Sequence, residues 1–175
     1  MAEERLVILN LRSNGITPAL DTSWRLITDA VMGGVSSGTL KKDKIQDKPC
    51  LRLRGDISLQ NNGGFIQAAL DIEDTPAANA SAYDGIMLEV SGNNEEYNLH
   101  LRSKDVWLPW QSYRAPFVAP DKWQTIKLPF SAFGAYRIRK PLDPAHLKRI
   151  GIVAIGREFA ADLCIGYLAL YRDDR

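Results

Sequence analysis

From position 50 to 60 the side chains alternate: Leu51, Leu53, Gly55, Ile57 and Leu59 occupy odd positions, and Cys50, Arg52, Arg54, Asp56, Ser58 and Gln60 the even ones. Only extended backbone satisfies a period of two, because its successive side chains point to opposite faces. The stretch is therefore a strand, or two strands joined through Gly55, with one buried and one wet face. The pattern recurs: Tyr97, Leu99 and Leu101 alternate with Asn98, His100 and Arg102, and Ile86, Leu88 and Val90 share one side of a third run. Further extended candidates lie at 6–11, 24–28, 38–41, 65–72, 111–118, 125–130, 150–155 and 163–171. Asn61-Asn62-Gly63-Gly64, Ser91-Gly92-Asn93-Asn94 and Ala119-Pro120-Asp121 separate them as turns. The 150–155 run is apolar on both faces, which predicts a central strand. Only 143–149 reads as a short helix, with Asp143 as N-cap and Pro144 in its first position. About ten short strands without a long amphipathic helix predict an all-β fold, an antiparallel β-sandwich. No repeat, low-complexity tract or linker interrupts the sequence, so 1–175 is expected to form a single domain.

Charge narrows the partner. Lys and Arg total 22 against 21 Asp and Glu, a net charge of +1 with no basic tail, which argues against a nucleic-acid binder. The opening Met-Ala-Glu-Glu-Arg is acidic and runs into only a brief apolar stretch, unlike a secretory signal or an Arg-rich transit peptide. No stretch approaches the length of a membrane span. A cytoplasmic protein is expected, or one from which a leader has been removed, with Cys50 and Cys164 fitting reduced thiols better than a single bridge between distant strands, which stays open.

Two segments carry paired glycines: Trp24-Arg-Leu-Ile-Thr-Asp29-Ala-Val-Met-Gly33-Gly34-Val-Ser36-Ser-Gly38, and Gly55-Asp-Ile-Ser-Leu-Gln-Asn-Asn-Gly63-Gly64-Phe65. Such pairs mark backbone that turns with positive φ or approaches another chain closely. Asp29 is expected to brace the turn by accepting backbone N–H groups, in preference to a ligand-binding role. Trp24 and Phe130 are expected to be largely buried. Together the two segments resemble the signature of the complex I intermediate-associated protein 30 family. The resemblance continues through Tyr83-Asp84-Gly85-Ile86, the 97–102 strand, Trp123-Gln124-Thr125-Ile126-Lys127-Leu128-Pro129-Phe130 and Ile150-Gly151-Ile152, nearly the whole chain. It implies a jelly-roll sandwich of the galactose-binding domain-like type, without a catalytic site. It also implies a chaperone-like assembly factor that binds a protein partner, an assembly intermediate of respiratory complex I. After Phe133 the chain departs from the family pattern: where members often carry a Gly-rich loop, it has Tyr136-Arg137-Ile138-Arg139-Lys140-Pro141.

By parity Arg52, Arg54, Gln67, Asn98, His100 and Arg102 are expected on one wet surface, beside Trp107, Trp110 and Tyr113. Of these, Arg54, His100, Arg102, Trp107, Trp110 and Tyr113 are the candidate binding residues. Aromatic rings beside guanidinium groups stack sugars, which gives an oligosaccharide as the alternative ligand, on a concave aromatic and arginine face. The same residue types dominate protein interfaces. The bland reading is a solvated strand face with tryptophans closing one end of the core. A sandwich hydrolase is the third reading. Gly34-Val35-Ser36-Ser37-Gly38 matches the nucleophile elbow in letters, but a strand and a charged turn follow it where a helix is required. Glu89 and Asp56 are the carboxylates that a glycosidase pair would draw on. Two Cys and two His at scattered positions offer no zinc spacing, and no phosphate cradle or dinucleotide fingerprint is present. No cofactor is expected. Sandwich modules of this kind sometimes hold a structural calcium, but nothing matches an EF-hand loop.

Overall fold

A computed structural model describes residues 4–11 and 23–173. Twelve strands form within them: β1 (Glu4–Asn10), β2 (Arg25–Thr28), β3 (Ser37–Ile45), β4 (Lys48–Ile57), β5 (Phe65–Asp71), β6 (Gly85–Ser91), β7 (Glu95–Ser103), β8 (Ser112–Ala119), β9 (Gln124–Pro129), β10 (Gly134–Tyr136), β11 (Leu147–Ile155) and β12 (Phe159–Arg172). They make two antiparallel six-stranded sheets. The first runs β3-β4-β12-β6-β9, with β1 also paired to β12; the second runs β10-β8-β7-β11-β5-β2. The fold is an all-β sandwich, and the doubly apolar 150–155 run lies inside β11, between β7 and β5.

Alternation decides which side chains meet in the middle. Leu53, Ile57, Ile86, Leu88, Val90, Leu163 and Ile165 of the first sheet face Ile66, Leu70, Tyr97, Leu99, Leu101, Ile150 and Ile152 of the second in one continuous core. Each such side chain contributes about 1.5 to 3 kcal/mol by leaving water. In β12 the phase flips at Gly166, where the register with β6 shifts. Before it Leu163 and Ile165 point inward; after it Leu168 and Leu170 do. Tyr167, Ala169 and Tyr171 then bury themselves on the outside against Met87 and Val7, in a second small cluster.

The glycine-paired segments are the two crossings between the sheets at one end of the sandwich. Residues 29–36 join β2 to β3, and 58–64 join β4 to β5. Both close on Asp29, which has no exposed surface. Its carboxylate accepts the Ser36 amide at 3.0 Å, the Ser36 hydroxyl at 2.6 Å and the Gly64 amide at 2.6 Å. Ser36 Oγ in turn accepts the Ser58 amide at 2.9 Å. A Cβ at Gly34 or Gly63 would overlap the Asp29 carboxyl group, and Gly33 and Gly64 adopt φ of 84° and 133°. Two of the four glycines therefore serve positive φ, and the other two serve close approach.

Several sequence expectations need correction. Cys50 and Cys164 are not free thiols: they form a disulfide between β4 and β12, with Cα atoms 5.4 Å apart. Cys164 pairs with Arg52, so the two cysteines lie on one face of neighbouring strands. The expected 143–149 helix is a single 3-10 turn at Pro144–His146, capped by Asp143 accepting the Ala145 amide, and β11 starts at once after it. Trp24 and Phe130 are only half-buried at the core's edge. Leu59 is exposed, because β4 ends at Ile57 and the chain turns into a 3-10 segment at Gln60–Asn62.

Asp29→Asn replaces an acceptor for several donors with an amide that presents its own N–H. It is expected to cost about 2 to 3 kcal/mol, read as a lower urea midpoint with an unchanged m-value. The disulfide closes a separation of 114 residues, for which chain entropy gives about 4 to 5 kcal/mol. Unreduced protein should take up no alkylating label at either cysteine under denaturing conditions, and reduction should lower the melting temperature.

Candidate binding face

The outer face of the second sheet carries three rungs of side chains, fixed by strand register. The first holds Tyr136, Ser112, Arg102, Arg149 and Asp71; the second Gly134, Arg114, His100, Gly151, Ala69 and Arg25; the third Pro116, Asn98, Val153, Gln67 and Ile27. Polar side chains stand here because Tyr97, Leu99, Leu101, Tyr113, Ala115 and Phe117, their neighbours in sequence, fill the core. At the centre Gly151 has no side chain, and the Gln67 amide lies across it where a Cβ would overlap.

Charge on the face is uneven. Asp71 accepts from Arg25 Nη1 at 2.8 Å and from Arg149 Nε at 2.9 Å, and although burial pushes its carboxyl up, these two guanidiniums hold it below the ordinary carboxylate range. Arg102 reaches only the carbonyl oxygens of Pro109 and Gln111, both at 3.4 Å. Arg114 donates its Nε to Ser112 Oγ at 2.8 Å and stacks 3.6 Å above the centre of the Tyr136 ring. Burial lowers the pKa of both arginines, Arg149 adding to the effect at Arg102. Between them His100 is 9% exposed, and its Nε2 has no hydrogen-bond partner. Burial first, and the charge of Arg114 second, bring its pKa down to about 3. His100 is therefore a neutral imidazole at physiological pH.

At the Arg102 end the loop from β7 to β8 lifts two indoles into solvent: Trp107 is 83% exposed and Trp110 53%. The loop is pinned, because Gln111 Oε1 accepts the backbone amides of Trp107 and Leu108, both at 3.1 Å, while Gln111 Nε2 donates to the Arg137 carbonyl at 3.2 Å. Lys148 Nζ sits 5.9 Å from the centre of the Trp107 ring.

Of the sequence candidates, the structure brings together His100, Arg102, Trp107 and Trp110. Arg52 and Arg54 lie across the sandwich, on the outer face of the first sheet, where both pair with Asp162. Tyr113 is 1% exposed and points into the core, its hydroxyl donating to the Lys140 carbonyl at 2.7 Å. Arg114 and Arg149 belong to the face and were passed over, although the apolar alternation through Tyr113, Ala115 and Phe117 signalled Arg114. Tyr136 sits on a three-residue edge strand that leaves no period to read.

The residues singled out for other chemistries are engaged elsewhere. The Ser36 hydroxyl is engaged by Asp29 and Ser58. Glu89 approaches Lys48 Nζ at 3.8 Å on the first sheet. Among the described residues no group of three or more His, Cys, Asp or Glu side chains is gathered to hold a metal ion, and no helix is long and apolar enough to cross a membrane.

Comparison with known proteins gives a consistent result. A sequence model of the family described as "Complex I intermediate-associated protein 30 (CIA30)" matches residues 16–165. No curated protein sequence matches the chain. Among solved structures, the chain is similar to the family 11 carbohydrate-binding module of the cellulosomal cellulase Lic26A-Cel5E of Clostridium thermocellum, with a TM-score of 0.70 at 13% identity over 97% of this chain and 94% of that one. The Clostridium thermocellum family 11 module in complex with a β-1,3-1,4-mixed-linked tetrasaccharide matches with a TM-score of 0.70, at 13% identity over 96% and 94% of the two chains. A family 30 carbohydrate-binding module from a cellulosomal cellulase of the same organism matches with a TM-score of 0.60, at 14% identity over all of both chains. These likenesses establish the fold.

His100 makes stability depend on pH. In the unfolded chain it titrates near its ordinary value, but in the fold it stays neutral down to about 3. Protons therefore favour unfolding throughout that window. Falling from pH 7 to pH 5 should remove about 2 kcal/mol of stability through this one group. In His100→Gln the urea midpoint should change less over the same range, and an unchanged slope would refute the assignment.

Proposed function

The chain belongs to the complex I intermediate-associated protein 30 family, and from that premise we propose that it is a non-catalytic, chaperone-like domain that binds a protein partner, an assembly intermediate of respiratory complex I. The observation that carries the reading is the pinned loop that holds Trp107 and Trp110 in solvent beside Arg102. Indoles left exposed on an ordered loop gain most from being covered, and Trp and Arg dominate the energetics of protein interfaces. Among the described residues no metal-binding cluster competes for the face. The Cys50–Cys164 disulfide supports work in an oxidising compartment over the reducing cytosol.

A second reading has an observation of its own. The sandwich is similar to modules named for carbohydrate binding, one of them in complex with a tetrasaccharide, and Trp110 offers a half-open ring of the kind that stacks on sugars. On that reading the same loop holds an oligosaccharide.

Affinity purification from the native host separates the two. Recovery of a complex I subunit or assembly intermediate, lost with Trp107→Ala/Trp110→Ala, is the expected result. A hot-spot pair should weaken binding by about thirtyfold or more, while the melting temperature stays unchanged because both rings are exposed. Quenching of tryptophan fluorescence by a mixed-linked β-glucan tetrasaccharide, with no respiratory-chain protein recovered, would replace the first reading with the second.

A further inference from the structure

The segment Tyr136-Arg137-Ile138-Arg139-Lys140 runs beside the indole loop. Gln111 holds the Arg137 carbonyl, and Tyr113 holds that of Lys140. Exposed Arg137 and Arg139 thus join Arg102 and Arg114 at one end of the second sheet. The lysines around them are matched: Lys104 with Asp143, Lys140 with Asp105 and Lys148 with Glu73. The four arginines are not. Among the described residues none of them meets a carboxylate, since Arg25 and Arg149 occupy the Asp71 oxygens. A chain of net charge +1 therefore gathers, at the end of the sheet that carries two exposed indoles, four guanidiniums without an ion-pair partner among the described residues, Asp71 acting on Arg102 only at longer range.

We propose that this edge, built from Arg102, Arg114, Arg137 and Arg139, recognises a carboxylate-rich segment of the protein partner, with Trp107 and Trp110 covering apolar side chains interspersed in that segment. The inference rests on the protein-binding reading above and names the partner's chemistry. Guanidinium presents paired N–H groups that match a carboxylate in the plane of the fork. Withdrawal of Arg102 and Arg114 from water raises the gain from an incoming anion, because part of their solvation is already lost. The aromatic rings favour a peptide over nucleic acid or sugar. Arg114 stands 3.6 Å from the Tyr136 ring centre and Arg137 5.3 Å from it, so cations compete with a base or a pyranose for that ring. Trp107 is likewise attended by Lys148.

The test is fluorescence anisotropy with a labelled dodecapeptide of alternating Glu and Leu, against the same peptide with Gln for Glu. The acidic peptide should bind and the Gln peptide should not, with affinity falling steeply between about 0.05 and 0.3 M NaCl. Arg102→Gln/Arg114→Gln and Arg137→Gln/Arg139→Gln should each weaken binding by about tenfold or more. Lys41→Gln/Lys42→Gln, on the opposite sheet, should leave it unchanged. Arg114→Lys keeps the charge but not the fork and should recover part of the affinity lost in Arg114→Gln, which separates recognition from misfolding. Equal binding of the Gln peptide overturns the proposal. So does an oligogalacturonate or an RNA oligonucleotide that binds as tightly as the acidic peptide. If partner capture is lost with Trp107→Ala/Trp110→Ala but survives both arginine pairs, the protein-binding reading stands and the acidic segment falls. If it survives all of these variants, both fall.

Discussion

One buried carboxylate joins the two sheets. Asp29 sits where both crossings pass, and the loops it fastens lead from β2 to β3 and from β4 to β5, one into each sheet at either end. Burial alone would push its proton affinity up. The Ser36 hydroxyl and the amides of Gly64, Ser36 and Phe65 reverse that and hold the carboxyl below its ordinary value. A buried charge is tolerable only when its lone pairs are satisfied this fully. The glycine pairs follow from the same requirement, since backbone must come close enough to offer its N–H groups and no side chain can stand between. The signature that marks the family in sequence is therefore architectural. It fixes the relation of one sheet to the other, and so the shape on which any binding face is displayed.

How much of this was legible follows from what a period of two encodes. It states which side of its own strand a residue occupies, and within each strand that reading largely held: Leu51, Leu53 and Ile57 entered the core, and so did Tyr97, Leu99 and Leu101. It does not state to which sheet a strand belongs. Arg52 and Arg54 were grouped with His100 and Arg102 because all four are outward-facing, yet β4 and β7 lie in different sheets and their outward directions are opposite. Tyr113 was drawn towards the tryptophans by closeness in sequence, against its own alternation with Ala115 and Phe117. The disulfide depends on pairing between strands more than a hundred residues apart, which composition and compartment arguments do not reach. The phase flip at Gly166 likewise leaves only a run of apolar letters.

Fold likeness and side-chain chemistry pull the functional reading in different directions. Modules of the same sandwich shape are named for binding carbohydrate, but at 13% identity they share a scaffold and not a surface. On this scaffold Tyr136 has Arg114 and Arg137 against its ring and Tyr113 is internal, which leaves Trp107 and Trp110 as the open rings. What is left open is cationic and indole-rich.

The neutrality of His100 completes that argument. A histidine on a ligand face normally makes recognition depend on pH near neutrality. Here burial and the neighbouring Arg114 keep the imidazole uncharged, so it adds nothing to the field of the face at any pH above about 3. The positive charge left without an ion-pair partner comes from arginines, and arginine does not deprotonate in proteins. Attraction for carboxylates on such a surface is set by the ionisation of the partner and by salt. An unprotonated His100 also has no proton to deliver as a general acid, and its Nε2, buried without a partner, is out of reach of an incoming group. The field of the face therefore stays nearly constant through neutral pH.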